Sequence, residues 1–193
     1  MDDERSGVDA LALVASAGGM GALIIVLRSL PADIPVAVVV QQHLGSHNSA
    51  LVRILQLRTG HEIVWAADGA ALVAGRVTVC PPAKRMEVLP DGTCAMFDYE
   101  PGRRMMPHDA LLKSMADVNG TRSIGVVLTG MGRDGAAGAA ALKAAGGLVI
   151  AQSPDTADYD SMPRAAASSA HLVLPLEEIG PALAAFLARA TTR

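Results

Sequence analysis

Short apolar runs alternate with stretches of helical spacing along most of the 193-residue chain. Continuous apolar runs predict buried strands at residues 10–15, 36–41, 123–128 and 148–151. Apolar residues at helical spacing predict helices at residues 20–30, 49–57, 109–118, 135–145 and 177–190. Strands that alternate with helices predict an α/β fold, namely a doubly wound, mostly parallel sheet with helices on both faces.

Residues 75–99 follow a different pattern. After a polar strand predicted at residues 62–65, an apolar run at 77–79, a break at Pro81 and Pro82, and a turn at 90–92 lie close together. Short strands separated by proline and glycine turns are typical of an antiparallel ribbon and not of another crossover. We therefore predict that this stretch is an antiparallel β-hairpin inserted into the α/β fold.

The composition fits one globular domain. Apolar residues make up 51% of the chain and aromatic residues only 3%, so Ala, Val, Leu and Ile must build the core. A chain of this length typically forms one domain, and we predict a single domain over residues 1–193 with a flexible N-terminus at 1–9. The net charge of -3 and the scattered basic residues argue against a nucleic-acid partner.

The N-terminus and the cysteines predict where the protein works. The acidic first residues lack the basic and apolar regions of a signal peptide. No apolar segment reaches the roughly 20 residues that span a membrane. Cys80 and Cys94 are scattered, which is typical of reduced, buried thiols. We expect a cytoplasmic protein that does not insert into a membrane.

Three polar residues follow three predicted strands. Ser16 comes after the first strand and precedes a glycine turn, His43 follows the second strand, and Asp134 follows the strand at 123–128. The carboxyl ends of parallel strands meet at one edge of a sheet, about 4.8 Å apart. We therefore expect the three side chains to meet as nucleophile, general base and orienting acid.

Each of these residues also has a purely structural explanation. Ser16 and Asp134 are good N-cap residues for the helices that follow them, and His43 fits a solvated loop. Their joint position favours a triad, in which Asp134 accepts the Nδ1–H of His43 and Nε2 takes the serine proton. Because free histidine loses its proton near about pH 6.5, activity is expected to rise through the neutral range.

Five sequence blocks carry a family resemblance. They are ASAGG at 15–19, QQH at 41–43, LTGMGRDGAAG at 128–138, AQ at 151–152 and SMPRA at 161–165. Together these blocks resemble the chemotaxis protein-glutamate methylesterase family, CheB. The resemblance runs from Leu11 to about Phe186, and that family also has a hairpin insert. The order serine, histidine, aspartate and the lack of a G-x-S-x-G elbow differ from α/β hydrolases.

The resemblance implies a reaction and a set of roles. Ser16, His43 and Asp134 match the family's nucleophile, base and orienting acid, and the oxyanion donors implied are the backbone N–H groups of Met131, Ala17 and Gly18. The implied reaction is hydrolysis of glutamate γ-methyl esters on the cytoplasmic helices of methylated chemoreceptors, with release of methanol. Deamidation of receptor glutamines is the related implied activity, and no cofactor is implied.

The chain departs from the family pattern at several positions. Val14 stands where the family usually has Gly, and Ala17 where it often has Thr. The family's segment with Pro, Ser and Asp before a helix appears here as MPHD at residues 106–109, so a cleft-lining serine is replaced or shifted. Many members carry an N-terminal receiver domain, whereas about nine residues precede the first strand here. We expect either a stand-alone esterase domain, regulated by expression or by another protein, or an esterase of a chemosensory-like pathway other than motility.

Other functions are open at this stage. A dinucleotide- or phosphate-binding module is suggested by the glycine turn, but its spacing is not G-x-G-x-x-G and no P-loop lysine follows. A non-catalytic interaction module would keep the fold without the activity. The histidines lack metal-site spacing, and His47 and His61 are predicted as surface-loop residues. The segment 103–106 fits a receptor-facing surface and a solvated loop equally well.

Overall fold

The computed structural model describes residues 9–45, 48–99 and 106–191. Most of the N-terminal segment predicted as flexible lies outside the described residues, as do His47 and residues 103–105 of the segment assigned to either a receptor-facing surface or a loop. Within the described ranges, no helix combines the length and the apolar character needed to cross a bilayer.

The described residues contain nine strands, seven of them in one sheet. The strands are β1 (Ala10–Ala15), β2 (Ala37–Gln42), β3 (Glu62–Trp65), β4 (Arg76–Val79), β5 (Lys84–Val88), β6 (Cys94–Asp98), β7 (Ser123–Val127), β8 (Leu148–Gln152) and β9 (Leu172–Leu174). The central sheet has the order β3-β4-β2-β1-β7-β8-β9, and every neighbouring pair is parallel. β1 is buried along its whole length because both faces of the sheet are covered.

Six helices pack on the two faces of this sheet. They are α1 (Gly19–Arg28), α2 (Leu51–Thr59), α3 (Pro107–Val118), α4 (Ala136–Ala144), α5 (Ser161–Ala167) and α6 (Leu176–Thr191). Buried residues of α1, α2 and α6 share one apolar cluster with the sheet, and those of α3, α4 and α5 share the other. The predicted α/β class, with helices on both faces of a parallel sheet, is confirmed.

The predicted hairpin is confirmed in its second half and wrong in its first. β5 and β6 pair antiparallel as a separate ribbon. The run at 77–79 instead forms β4, which pairs parallel with β2 and β3 inside the main sheet. No helix marks the connection from β3 to β4, because that loop pairs with the hairpin: Leu72 N–H donates to the Gly92 carbonyl (2.9 Å) and Gly69 N–H to the Cys94 carbonyl (2.8 Å).

Two short elements near the C-terminus were not predicted from the apolar pattern. α5 has seven residues and contains Pro163, and β9 has three residues. Elements this short do not complete enough periods to show in a sequence pattern. Pro163 fits inside the first turn of α5, where a missing N–H leaves no helical bond unmade.

The order of the strands places an open crevice beside β1. From β1 the chain crosses to β2 on one side, while β7 lies on the other side and leads on to β8. Crossovers in opposite directions leave a gap at the carboxyl ends of the strands, where ligands of such folds bind. Ser16 and His43 follow β1 and β2 at this edge, and the loop after β7 carries Asp134.

Candidate active site

Ser16, His43 and Asp134 form a continuous hydrogen-bonded chain. Asp134 Oδ2 lies 2.9 Å from His43 Nε2, and His43 Nδ1 lies 3.0 Å from Ser16 Oγ. An ionised carboxylate only accepts hydrogen bonds, so Nε2 carries the hydrogen and Nδ1 accepts from the serine hydroxyl. The structure therefore brings together the three side chains that the sequence placed at one sheet edge.

The imidazole of His43 is turned the other way from the sequence expectation. The predicted arrangement had Nδ1–H facing the aspartate, whereas in the structure Nε2 faces Asp134 and Nδ1 faces Ser16. Either nitrogen of a neutral imidazole can accept a proton while the other donates. The chemistry of the relay is unchanged, and the position of the backbone after β2 decides which nitrogen reaches which partner.

The backbone of Ser16 is held from three sides. Its N–H donates to the carbonyl of Thr129 (3.0 Å), and its carbonyl accepts from Gln42 Nε2 (2.6 Å) and from the N–H of Gly19 (2.9 Å). The N-cap residue of α1 is Gly18, in the left-handed region at φ 75°, so Ser16 does not cap the helix. The alternative N-cap role for this serine is therefore not what the structure shows.

Asp134 caps a helix, but not the one that follows it in sequence. Its carboxylate accepts hydrogen bonds from the backbone N–H groups of His108 (3.1 Å) and Asp109 (3.0 Å), in the first turn of α3. Asp109 in turn accepts from the N–H groups of Gly135 (3.0 Å) and Gly138 (2.7 Å) at the start of α4. Each aspartate thus caps the other's helix, an exchange that no local sequence pattern indicates.

The environment keeps Asp134 ionised. Burial by itself would raise the pKa of this carboxyl, but the hydrogen bond from His43, the nearby ring of His108 and the two backbone N–H groups of α3 lower its pKa below the usual value. Hydrogen bonds that favour the charged form of a carboxyl act in this direction. A carboxylate that stays charged can orient His43 and stabilise its protonated form.

Glutamines at two strand ends hold the loops of the site. Gln152, the last residue of β8, accepts from the N–H of Thr129 (2.8 Å) and donates to the carbonyl of Thr156 (2.9 Å). Thr129 donates its hydroxyl to the carbonyl of Ala17 (3.0 Å). Gln42 donates to Ser16, as described above. In the sequence these glutamines stand out only as parts of the family resemblance, because the partners of a buried amide lie far away in sequence.

The backbone N–H groups expected to bind an oxyanion are free in the structure. Those of Met131, Ala17 and Gly18 make no hydrogen bond within the described ranges. Gly130, which precedes Met131, touches Ser16 so closely that an added Cβ would lie 2.7 Å from the serine Cβ. A side chain at this position would push the loop away from the serine.

A shallow cleft opens beside His43. It has a volume of about 350 Å³ and is lined by His43, Leu44, Gly45, Tyr99 and Pro107. Burial raises the pKa of Tyr99 to about 12, so its phenol stays protonated. The cleft leaves one side of the His43 ring open to solvent.

Neither cysteine competes with Ser16 as a nucleophile. Burial raises the pKa of Cys80 to about 12 and also raises the pKa of Cys94. Both thiols are free and buried, and a thiol that stays protonated is a poor nucleophile.

Within the described ranges, one group of side chains has the composition of a metal site. The ligand atoms of His43, His108 and Asp134 lie within 4.8 Å of one another. The two imidazole rings are stacked, with centroids 4.0 Å apart and planes 16° apart. Lone pairs of parallel rings do not converge on one point, so the geometry favours hydrogen bonding over metal coordination.

Comparison with known proteins identifies the family. The family model described as CheB methylesterase matches residues 11–183. The chain belongs to the CheB methylesterase family. A protein-glutamate methylesterase/protein-glutamine glutaminase from Moorella thermoacetica is 38% identical over 95% of the chain and 45% of its own length. One from Anaeromyxobacter dehalogenans is 40% identical over 80% of the chain and 47% of its own length.

A solved structure shares the fold of this CheB-family chain. The catalytic domain of Thermotoga maritima CheB methylesterase superposes with a TM-score of 0.84 at 27% identity, covering 93% of this chain and 98% of that one. The chain spans about half the length of the curated relatives it matches.

The departure from the CheB pattern at Val14 lies beneath the site and does not line it. Val14 is fully buried, and its Cγ2 lies 3.6 Å from where a Cβ on Gly135 would stand. It therefore packs under the loop that carries Asp134. A buried valine at this position supports the loop without blocking access to Ser16.

Proposed function

We propose that this chain is a serine hydrolase that removes methyl esters from glutamate side chains of chemotaxis receptors. The observation that carries the proposal is the relay of Ser16, His43 and Asp134, with its two contacts of 3.0 and 2.9 Å. The CheB family membership supports the choice of substrate, since the relatives are named protein-glutamate methylesterases. That name also supports a second activity, the deamidation of receptor glutamines.

The reaction follows from the direction of the relay. Ser16 Oγ attacks the ester carbonyl while its proton passes to His43 Nδ1, and Asp134 stabilises the imidazolium. The oxyanion is bound by the free N–H groups of Met131, Ala17 and Gly18, each typically contributing about a hundredfold in rate. The C–O bond to the methoxy group breaks, and His43 returns the proton to release methanol. Water then attacks the acyl-enzyme, its proton passing through His43 to Ser16, and the glutamate carboxylate leaves.

The glycine turn after β1 suits this reaction better than nucleotide binding. An added Cβ on Gly18 would lie 2.7 Å from the Asp158 carboxylate, and one on Gly19 would lie 2.1 Å from Gln42 Oε1. The space that these glycines leave is therefore filled by side chains of the protein itself. A carboxylate beside the turn also repels a phosphate.

The proposal places the chain in the cytoplasm, beside the cytoplasmic helices of the receptor. Two free, buried cysteines fit a reducing compartment. The open cleft beside His43 is the surface on which a methylated glutamate side chain would approach Ser16.

Methanol release from methylated receptor membranes tests the proposal. We expect the purified protein to release methanol and Ser16→Ala to lose at least about a thousandfold in rate. Ser29→Ala is the matched control, because Ser29 donates only to the Ile25 carbonyl at the exposed end of α1. No release by the wild type would contradict the proposal in favour of a non-catalytic module. Equal release by wild type and Ser16→Ala would remove Ser16 from the mechanism.

A further inference from the structure

His108 is a buried ionisable side chain that the reaction described above does not use. It lies in the first turn of α3 and is fully buried (0% exposed). Its ring stacks on that of His43, with centroids 4.0 Å apart and planes 16° apart. Its Nδ1 lies 3.4 Å from Asp134 Oδ2.

The backbone of His108 does not explain its side chain. The backbone N–H donates to Asp134 (3.1 Å), and any residue except proline would supply that donor. Neither ring nitrogen makes a well-aligned hydrogen bond to the residues that the structure describes, although backbone groups of Ala15 and Gln41 lie close enough to the ring to oppose the lowering of its pKa. Buried polar atoms without partners destabilise a fold, so an apolar side chain would suit this position better if filling space were the only requirement.

The contact with His43 provides the missing explanation. The side chain of His43 is 33% exposed, so one side of the ring has little protein to hold it. The flat surface of His108 limits rotation of the His43 ring away from Ser16 and Asp134. When His43 takes the serine proton, the resulting imidazolium lies over the face of an aromatic ring, and such contacts favour the cation. This attraction arises only when His43 becomes protonated during attack. It therefore stabilises the transition state more than the ground state, which is what raises a rate.

The contact requires that His108 itself stay uncharged. Burial lowers the pKa of His108 to about 3, and the neighbouring His43 acts in the same direction. Asp134 opposes this shift but is already bonded to His43 and to two backbone N–H groups. Two stacked cations would repel each other, so a neutral partner is the form that supports the imidazolium.

We propose that His108 is a positioning residue: its neutral ring holds His43 between Ser16 and Asp134 and stabilises the imidazolium that forms during attack. This inference rests on the serine hydrolase function proposed above. It concerns the reactivity of Ser16 and not the identity of the substrate, so it can be tested without a receptor.

The test is the rate at which an alkyl fluorophosphonate labels Ser16. In this reaction Ser16 Oγ bonds to phosphorus, fluoride leaves with the electrons of the P–F bond, and the serine proton passes to His43. We expect His108→Leu, which keeps the volume but not the ring, to label about tenfold more slowly. We expect His108→Phe, which keeps an aromatic face, to stay within about threefold of the wild type.

The pH profile separates this role from a merely structural one. With a less stable imidazolium, the midpoint of the rate–pH curve of His108→Leu should move to lower pH, whereas that of His108→Phe should stay near the wild-type midpoint. His61→Leu is the control, because His61 bonds to the Leu27 carbonyl (2.8 Å) away from the site, and its labelling should equal that of the wild type.

Several outcomes would overturn the proposal. The first is that His108→Leu labels at the wild-type rate and with the wild-type pH profile. The second is that His108→Phe and His108→Leu lose labelling rate equally. The third is that the wild type is not labelled at all. If thermal unfolding shows that His108→Leu does not fold, the test is the ¹⁵N chemical shift of the His108 ring nitrogens in the wild type between pH 8 and 5. A ring that gains a proton in this interval refutes the proposal, and a ring that stays neutral supports it. Labelling without methanol release would instead refute the receptor-ester function alone.

Discussion

At the scale of single residues, Asp134 connects the reaction to the fold. Its carboxylate accepts from His43 Nε2 and from two backbone N–H groups of α3. In the proposed mechanism the first of these bonds orients the base, while the other two fix the start of a helix. We therefore expect a change at this position to affect both activity and stability.

We predict that Asp134→Asn loses activity and stability together. The substitution replaces one carboxylate oxygen, which accepts hydrogen bonds from N–H groups, with an NH₂ group that cannot accept them. It also removes the negative charge beside His43. Turnover should fall by roughly a thousandfold to ten-thousandfold, and the free energy of unfolding by about 1 to 3 kcal/mol. Methanol release and urea unfolding measure the two effects.

The control is Asp98→Asn, at an exposed ion pair with Lys84. Exposed pairs contribute at most about 1 kcal/mol, so both measurements should stay near wild type. An Asp134→Asn protein with normal stability would show that the helix-capping bonds of this carboxylate contribute little.

At the scale of elements, the side chain of Gln41 joins the hairpin to a strand of the central sheet, in addition to the bonds that the loop before β4 makes with the hairpin. Gln41, in β2, donates to the carbonyl of Lys84 (3.3 Å) and accepts from the N–H of Met86 (3.2 Å). Both partners lie in β5, which is not part of the central sheet. The amide thus links two sheets that share no ladder of backbone hydrogen bonds.

We predict that Gln41→Leu loosens the hairpin. The buried N–H of Met86 would lose its partner, which costs about 1 to 3 kcal/mol, and the carbonyl of Lys84 would keep only the hydrogen bond from Cys80 Sγ (3.3 Å). Backbone amides of β5 and β6 should exchange with deuterium faster than in the wild type, whereas those of β1 should not change.

Gln56→Leu is the matched control for this prediction. It removes the same kind of bond elsewhere, from Gln56 to the carbonyl of Ile63 (2.7 Å). Hairpin exchange in this variant should equal that of the wild type. Faster hairpin exchange in both variants would mean that global unfolding, and not the loss of the Gln41 anchor, exposes these amides.

At the scale of the whole molecule, burial of the site couples folding to pH. His108 stays neutral in the fold down to about pH 3, whereas in the unfolded chain histidine binds a proton near about pH 6.5. Asp134 has a lowered pKa in the fold, so its stabilising contribution is lost as the pH falls through that lowered pKa. In both cases the unfolded chain takes up protons more readily, and acid therefore favours unfolding.

We predict that the free energy of unfolding rises with pH between about 4.5 and 6.5, with a contribution from His108 of up to about 1.4 kcal/mol per pH unit. Urea unfolding at several pH values measures the slope. His108→Leu should give a flatter curve in this interval, because neither state of the variant binds a proton at that position. Parallel curves for the two proteins would contradict a neutral, buried His108.

The order of apolar runs and helical stretches is enough to predict the class of fold and the edge of the sheet at which the site lies. Continuous apolar runs indicate strands buried on both faces, and their alternation with helices favours a parallel sheet. Strand ends in such a sheet meet at one edge, which brings together Ser16, His43 and Asp134. These inferences need only local patterns and one rule of topology.

The contacts that hold the site together depend on packing between distant segments and are not visible in local patterns. Four features depend on partners far away in sequence. They are the place of β4 in the sheet, the orientation of the His43 ring, the exchanged helix caps of Asp109 and Asp134, and the stacking of His108 on His43. A hydrogen bond or a ring contact leaves no periodic signal in either of the segments that it joins. Local pattern therefore fixes which elements form, while packing decides which side chains meet.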